Sequence, residues 1–224
     1  MALTAYSKYR LYITRTSTSD ANKPYYGVVN SFHGFANGDG SGSNLLTGGT
    51  ASASSTYSPN TANRAFDADV NSFWEAGNQS DAFQWVRMDL ASPVTIRNFY
   101  ISSQDYAAEV PRDFKIQGSN DGTNWTDIVT VVDWVTGATA KAESWRIDLR
   151  LSGTSLLDTG GGASKVFIHK YSDGELVGVA TPNASTGVWS IKPQFAGEVL
   201  ITHVGPSGSG FRPVTDGPVT PAAE

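Results

Sequence analysis

Cysteine is absent from the 224 residues, which excludes a disulfide framework, a thiolate zinc centre, an iron–sulfur cluster and a thiol nucleophile. Histidine is nearly absent too. His33, His169 and His203 are the three copies, none with a second His at metal-ligand spacing, and no G-x-S-x-G, H-E-x-x-H or P-loop pattern occurs. No catalytic residue is therefore assigned, and the chain is not expected to be an enzyme. Basic clusters are missing as well. With 16 Lys+Arg against 21 Asp+Glu, the charge pattern excludes nucleic acid as a main partner. The first twenty residues hold no apolar run behind a basic start, and no stretch is long enough to span a bilayer, so neither a secretory signal nor membrane insertion is expected.

Good helix formers are scarce: 6 Glu, 7 Lys and 11 Leu stand against 18 Val, 21 Thr and 25 aromatic residues. β-Branched and aromatic side chains suit a pleated, half-buried surface. The periodicity agrees. Tyr9, Leu11 and Ile13 alternate with Arg10, Tyr12 and Thr14, and Val86, Met88 and Leu90 alternate with Trp85, Arg87 and Asp89. The same rhythm recurs over 94–101, 113–118, 125–132 and 143–149, with turns signalled at 37–44, Ser92-Pro93 and Asn120-Asp121-Gly122. Short strands at this spacing predict an all-β sandwich or barrel.

The composition shifts after Leu151, where three successive glycines stand at 160–162. Beyond them KVFIHKY, ELVGVAT, GVWSIKP and EVLITHV read as four strands. The last twenty residues hold four of the ten prolines and are expected to be extended and partly mobile. A unit of about 70 residues has a marginal core, so it is expected to lean on the first unit or on a partner chain.

Four pieces occur in a telling order: A-S-A-S-S (51–55), A-F-D-A-D-V-N-S-F-W (65–74), Q-W-V-R-M-D-L (84–90) and G-S-N-D-G-T-N-W (118–125). Together they resemble the discoidin, or coagulation factor 5/8 type C, family, which includes many galactose-binding-like carbohydrate-binding modules. The resemblance implies a jelly-roll sandwich of eight antiparallel strands, with Trp74, Trp85 and Trp125 at core positions. The family's closing strand pair does not follow Leu149, whereas KYRLYIT (8–14) and VVNSFHGF (28–35) stand at the front. A circular permutation is inferred, easy for a sandwich whose termini lie close together. The second unit resembles small transthyretin-like or carboxypeptidase-regulatory-like modules of tailed-bacteriophage structural proteins. The expected organisation is an arm at 1–7, a discoidin-like domain at 8–151, a linker at 152–162, a small β-sandwich at 163–216 and a tail at 217–224.

Two candidate sites follow. In the family, a loop of the pattern D-G-D-x-x-T-x-W wraps calcium, and here it reads Asp67-Ala68-Asp69-Val70-Asn71-Ser72-Phe73-Trp74. The resemblance implies ligands at Arg64 (carbonyl), Asp67, Asp69 and Ser72, with Val29 and Asn30 standing where the family has Ala and Glu. Asn in place of Glu removes one negative charge from a site that needs six to eight oxygens. Ala in place of Gly at 68 matters if the backbone there needs a positive φ. The alternative is that Asp67 and Asp69 only cap turns. The second candidate is a glycan-binding surface on end loops 73–83 and 103–112, built from Phe73, Phe83, Tyr106 and Arg112.

These readings imply a non-enzymatic structural protein of a tailed-bacteriophage virion, folded in the host bacterial cytoplasm and present in many copies. Its partners would be other phage structural proteins and a host-surface glycan. The rivals are a purely structural decoration of capsid or tail, and a bacterial carbohydrate-binding module.

Overall fold

A computed structural model describes residues 3–17, 26–78, 82–103, 109–134, 141–147, 149–155, 162–191, 198–206 and 213–223. The protein is all-β. The one helical turn among the described residues is a 3-10 turn at Ala62–Ala65. The chain divides into two compact units, Leu3–Trp145 and Arg146–Glu224.

In the first unit the strands are β1 (Tyr6–Thr16), β2 (Val28–Val29), β3 (Ser31–Phe35), β4 (Thr50–Ala53), β5 (Trp74–Glu75), β6 (Gln84–Val94), β7 (Asn98–Ser103), β8 (Pro111–Ser119), β9 (Thr126–Val131) and β10 (Lys141–Arg146). They form a five-stranded sheet in the order β4-β6-β1-β8-β9, a three-stranded sheet β10-β7-β3 and a ribbon β2-β5. β1 lies at the centre of the larger sheet, antiparallel to both β6 and β8. The alternation explains why. Tyr9, Leu11 and Ile13 are buried, and their neighbours in register, Met88 and Val86 on β6 and Ile116 and Phe114 on β8, are buried on the same face.

Aromatic side chains join the two sheets. The Tyr9 ring lies 5.8 Å from that of Phe99 on β7, and Phe32 on β3 lies 6.1 Å from Phe99 and 5.8 Å from Phe66. The buried Tyr9 hydroxyl donates to the Val94 carbonyl at 2.6 Å, and burial pushes its pKa up to about 12. At the other end, Phe114 meets Trp134 and Trp145 edge-to-face and the two indoles are tilted against each other, with centroids 5.4–5.6 Å apart. The hairpin between β8 and β9 is locked by Asp121. Its carboxylate accepts from the Asn124 side chain and from the backbone N–H groups of Asn124 and Thr123. These bonds hold it well below the ordinary carboxylate range.

The second unit holds β11 (Leu149–Thr154), β12 (Lys165–Lys170), β13 (Leu176–Ala180), β14 (Val188–Ile191), β15 (Val199–Val204), β16 (Val214–Val219) and β17 (Ala222–Ala223). Its sheets run β14-β11-β17 and β13-β12-β15-β16. Leu151, Val166, Ile168, Trp189, Val199 and Ile201 form its core. The Ser155 hydroxyl contacts Nδ1 of His203, which lies edge-on to Trp189 at 6.1 Å.

Four expectations need correction. Residues 1–7 are not wholly an arm, because β1 begins at Tyr6 and Tyr6 pairs with Val94. The division between units falls ahead of Leu151, because Leu149–Thr154 pairs with β14 and β17. The stretch read as an extended tail supplies two strands: Val214–Val219 bonds to β15 across the expected 216/217 boundary, and Ala222–Ala223 bonds to β11. Finally, Ser92-Pro93 is no chain reversal. The register passes from Lys8 opposite Asp89 to Tyr6 opposite Val94, so Leu90–Pro93 form a bulge, where the missing N–H of proline breaks no ladder bond.

Candidate functional site

Residues Arg64 to Trp74 leave the 3-10 turn, make a tight loop and enter β5, whose Trp74 is fully buried and pairs with Val29. The loop is folded by its own side chains. Asp67 Oδ1 accepts from the Asp69 N–H at 3.0 Å, and Asp69 Oδ1 accepts from the Asn71 N–H at 2.9 Å. Between them Ala68 takes φ 58°, the left-handed region that favours glycine. The turn-capping reading of the two aspartates is thus met in full.

The same loop also gathers oxygens. The buried Ser72 hydroxyl lies 2.8 Å from both carboxylate oxygens of Asp67 and 3.2 Å from the carbonyl oxygens of Arg64 and Asp69. One hydroxyl has one proton, and so satisfies one of these four acceptors at a time. Such an excess of acceptor oxygens around one point fits a hard cation, which is bound by oxygen alone. Asn30 approaches from the strand side, and its Nδ2 donates to the carbonyls of Val70 (3.1 Å) and Ser72 (3.2 Å). Val29 is buried with its backbone in the β2–β5 ribbon. Four of the six residues expected around a cation, Arg64, Asp67, Asp69 and Ser72, thus converge on one point, whereas Asn30 reaches the loop through its amide donor and Val29 pairs with Trp74. Asp67 is the one carboxylate among the four acceptors about Ser72, because Asp69 contributes its carbonyl there. Among the described residues no three His, Cys, Asp or Glu side chains gather in a metal-ligating group, so any cation here is held chiefly by carbonyl and hydroxyl oxygen.

The glycan candidates are not gathered in the same way. Phe73 is half-buried beside Trp74. Phe83 is 42% exposed and stacks on Tyr12 with centroids 5.0 Å apart and an interplanar angle of 25°. Arg112 is turned to Asp133, with Nε 2.7 Å and Nη2 2.5 Å from Oδ1. Asp133 is shared with Arg15, whose Nε also pairs with Asp113. By register Phe83 and Arg112 flank the same end of β1, since Ile13 pairs with Gln84 and Arg15 with Asp113. Tyr106 lies outside the described residues.

Two groupings went unread in the sequence. Glu75 accepts from Asn60 Nδ2 at 2.8 Å. Glu109 sits near enough for its charge to be felt, and Glu109 is pushed up to about 7 by burial first and by Glu75 second. The other grouping covers the outward face of the five-stranded sheet. Trp74 is core as expected, but Trp85 and Trp125 are not. Both are half-buried on the outward face, where Arg87 Cζ lies 5.3 Å from the Trp85 ring and Arg10 Cζ lies 4.0 Å from that of Trp125. The alternation of Arg10 and Tyr12 against buried Leu11 and Ile13 was the signal that points to this face.

Comparison with known proteins adds a single assignment. The family model of the F5/8 type C domain matches residues 50–153. No curated protein matches the chain. The matched segment is thus similar to F5/8 type C domains over just under half of the chain. It begins at β4, so β1 to β3 lie ahead of it.

Proposed function

We propose that the first unit is a non-catalytic glycan-binding module, circularly permuted, and that the chain is a structural protein of a tailed-bacteriophage virion. The match of residues 50–153 to a family of binding domains carries the reading. The permutation is supported by β1, which precedes the matched segment and yet stands between β6 and β8 at the centre of the sheet. The virion role rests on the sequence resemblance of the second unit to small phage modules alone. Its partners would be other virion proteins and a host-surface glycan, and weak sites repeated on many copies would supply avidity.

Calcium would be held by the carbonyls of Arg64 and Asp69, the Asp67 carboxylate and the Ser72 hydroxyl, with Val29 and Asn30 beside them. Bound there, it would fix the loop that leads into β5. In the module itself, Phe73 and Phe83 would offer apolar ring faces and Arg112 hydrogen-bond donors to sugar hydroxyls. A purely structural role is favoured by one observation, the commitment of Arg112 to Asp133.

The test is binding of the purified full chain to a glycan array and to candidate host cells, with Phe73→Ala and Arg112→Ala variants checked for folding. Specific binding weakened tenfold or more by either variant is expected, since tenfold corresponds to about 1.4 kcal/mol. Failure of the folded chain to bind any glycan or cell overturns the glycan role in favour of the structural one. Labelled antibody to the chain, seen on intact particles by electron microscopy, tests the virion assignment separately.

A further inference from the structure

On the outward face of the five-stranded sheet the register lays side chains out in rows. Trp85 stands directly across from Tyr12, and Tyr12 across from Lys115. One step along, Ser52, Arg87, Arg10 and Gln117 stand side by side on four adjacent strands. Residues paired in this way share a face, and the rows lie about 7 Å apart, two residues along each strand. The first row is aromatic and is extended by Phe83 stacked on Tyr12. The second is cationic and hydrogen-bonding, and it is backed by the Trp125 ring beneath the Arg10 guanidinium.

The charges on this face do not balance. Two guanidinium groups, Arg10 and Arg87, stand directly opposite each other, an arrangement that is destabilising by itself. Asp89 is shared between Lys8 and Arg87, and Asp127 pairs with Lys115. Arg10 makes no ion pair among the described residues, although the Asp127 carboxylate is near enough for its charge to be felt. Its Nε donates to Gln117 Oε1 at 2.6 Å, and its Nη groups carry no bond among those residues. Four cations thus face two carboxylates on a chain of net charge -5. Polar atoms are also left over in the cationic row. Ser52 Oγ is buried without a partner, and Arg87 Nε, although 2.7 Å from Asp89 Oδ1, is off the hydrogen-bond direction.

We infer that this face binds an acidic saccharide, with a sugar ring on the Trp85/Tyr12/Phe83 row and its carboxylate at the Nη groups of Arg10. The inference rests on the glycan-binding reading and extends the ligand's contact from the end loops onto the sheet face, with Phe83 common to both. Charge selects the ligand's sign: an anion at Arg10 offsets the opposed guanidiniums. The aromatic row one step away selects a carboxylate carried on a ring, because pyranose C–H faces pack on aromatic planes. Ser52 Oγ and Arg87 Nε, both without a hydrogen-bond partner, would supply the neutral and charged hydrogen bonds that sugar hydroxyls take, while Gln117 is held between Arg10 and Asp127. Burial, and Arg87 after it, holds the Arg10 guanidinium below its ordinary pKa, a cost that a bound carboxylate would relieve.

The experiment uses the full chain with two acidic probes, a galacturonic acid tetramer and a sialic acid trimer, and the galacturonate tetramer with its carboxylates reduced to alcohols. Binding is followed by calorimetry and by the indole N–H resonances in NMR spectra. At least one acidic probe is expected to bind, the reduced tetramer tenfold or more weaker than its acid, with the resonances of Trp85 and Trp125 shifting and those of Trp74 and Trp189 unmoved. Arg10→Gln, at a half-exposed position that keeps a polar neighbour for Gln117, should weaken binding by at least tenfold, and Trp85→Ala by a comparable factor. Binding that survives both variants but is lost in Phe73→Ala or Arg112→Ala overturns the sheet-face site and leaves the glycan-binding reading standing. No binding of any glycan overturns both. An oligoglutamate peptide that binds as tightly, and is lost in Arg10→Gln, overturns the saccharide in favour of an acidic protein.

Discussion

The Ser72 hydroxyl lies equidistant, at 2.8 Å, from the two carboxylate oxygens of Asp67. A single proton serves two acceptors there, with the carbonyls of Arg64 and Asp69 only a little farther away. The expected consequence is a response to calcium. Added calcium should raise the Tm of the unaltered chain, chelator should reverse it, and Asp67→Asn should abolish the response, because a ligand that binds only the native state stabilises it. With Asn30 in place of a carboxylate the effect should appear at millimolar rather than nanomolar calcium, in line with the weak end of oxygen-ligand sites. An unchanged Tm across that range, read by scanning calorimetry, would show the loop to be closed by its own hydrogen bonds.

That loop illustrates what a sequence reading reaches. The spacing of Asp67, Asp69 and Ser72 is local, so the turn chemistry and the convergence on one point were readable, as was the concern that Ala68 stands where a glycine belongs. β1, β6 and β8 were equally readable, because alternation in Tyr9–Ile13 and Val86–Leu90 is local too. What escaped depends on register. The pairing of Val214–Val219 with β15 involves prolines and glycines that by themselves signal loop, and only the partner strand makes them a ladder. The outward place of Trp85 and Trp125 escaped for a related reason, since a large aromatic in an alternating run suits the core and an amphipathic surface alike. That Arg10 would face Arg87 follows from pairing residues 77 positions apart in the chain, and no local pattern encodes it.

Glu109 gives a dependence on pH with an unusual sign. Its carboxyl is raised from 4.5 to about 7 by burial and then by Glu75, and its Oε2 has no partner among the described residues. The native state therefore holds this proton after the unfolded chain has released it. Stability is unpenalised below about pH 4.5, falls as the pH rises towards 7 and stays reduced above it. Glu109→Gln keeps the shape and removes the charge, so its Tm should match the unaltered protein at pH 4 and exceed it at pH 8. The gain should be on the order of 1 kcal/mol, because the group is partly exposed and solvent screens it. Melting curves across pH 4–8 read the difference, and a constant offset would trace the effect to packing instead.

The left-handed backbone at Ala68 sets the last expectation. A non-glycine residue at φ 58° brings its Cβ against the following carbonyl, at a cost of roughly 1–2 kcal/mol. Glycine removes that clash but adds freedom to the unfolded chain, which takes back about 0.4–1 kcal/mol. Ala68→Gly should therefore stabilise the first unit by about 0.5–1 kcal/mol, a change readable as a higher denaturant midpoint at constant slope. The substitution also bears on the cation. Ala68 lies between the two residues whose side-chain oxygens cap the turn, and it donates no side-chain oxygen itself. Relief of strain should lift the Tm equally with calcium and with chelator. A gain confined to the calcium-bound protein would mean instead that Ala68 distorts the oxygen cluster around Ser72, and that the alanine limits affinity as well as stability.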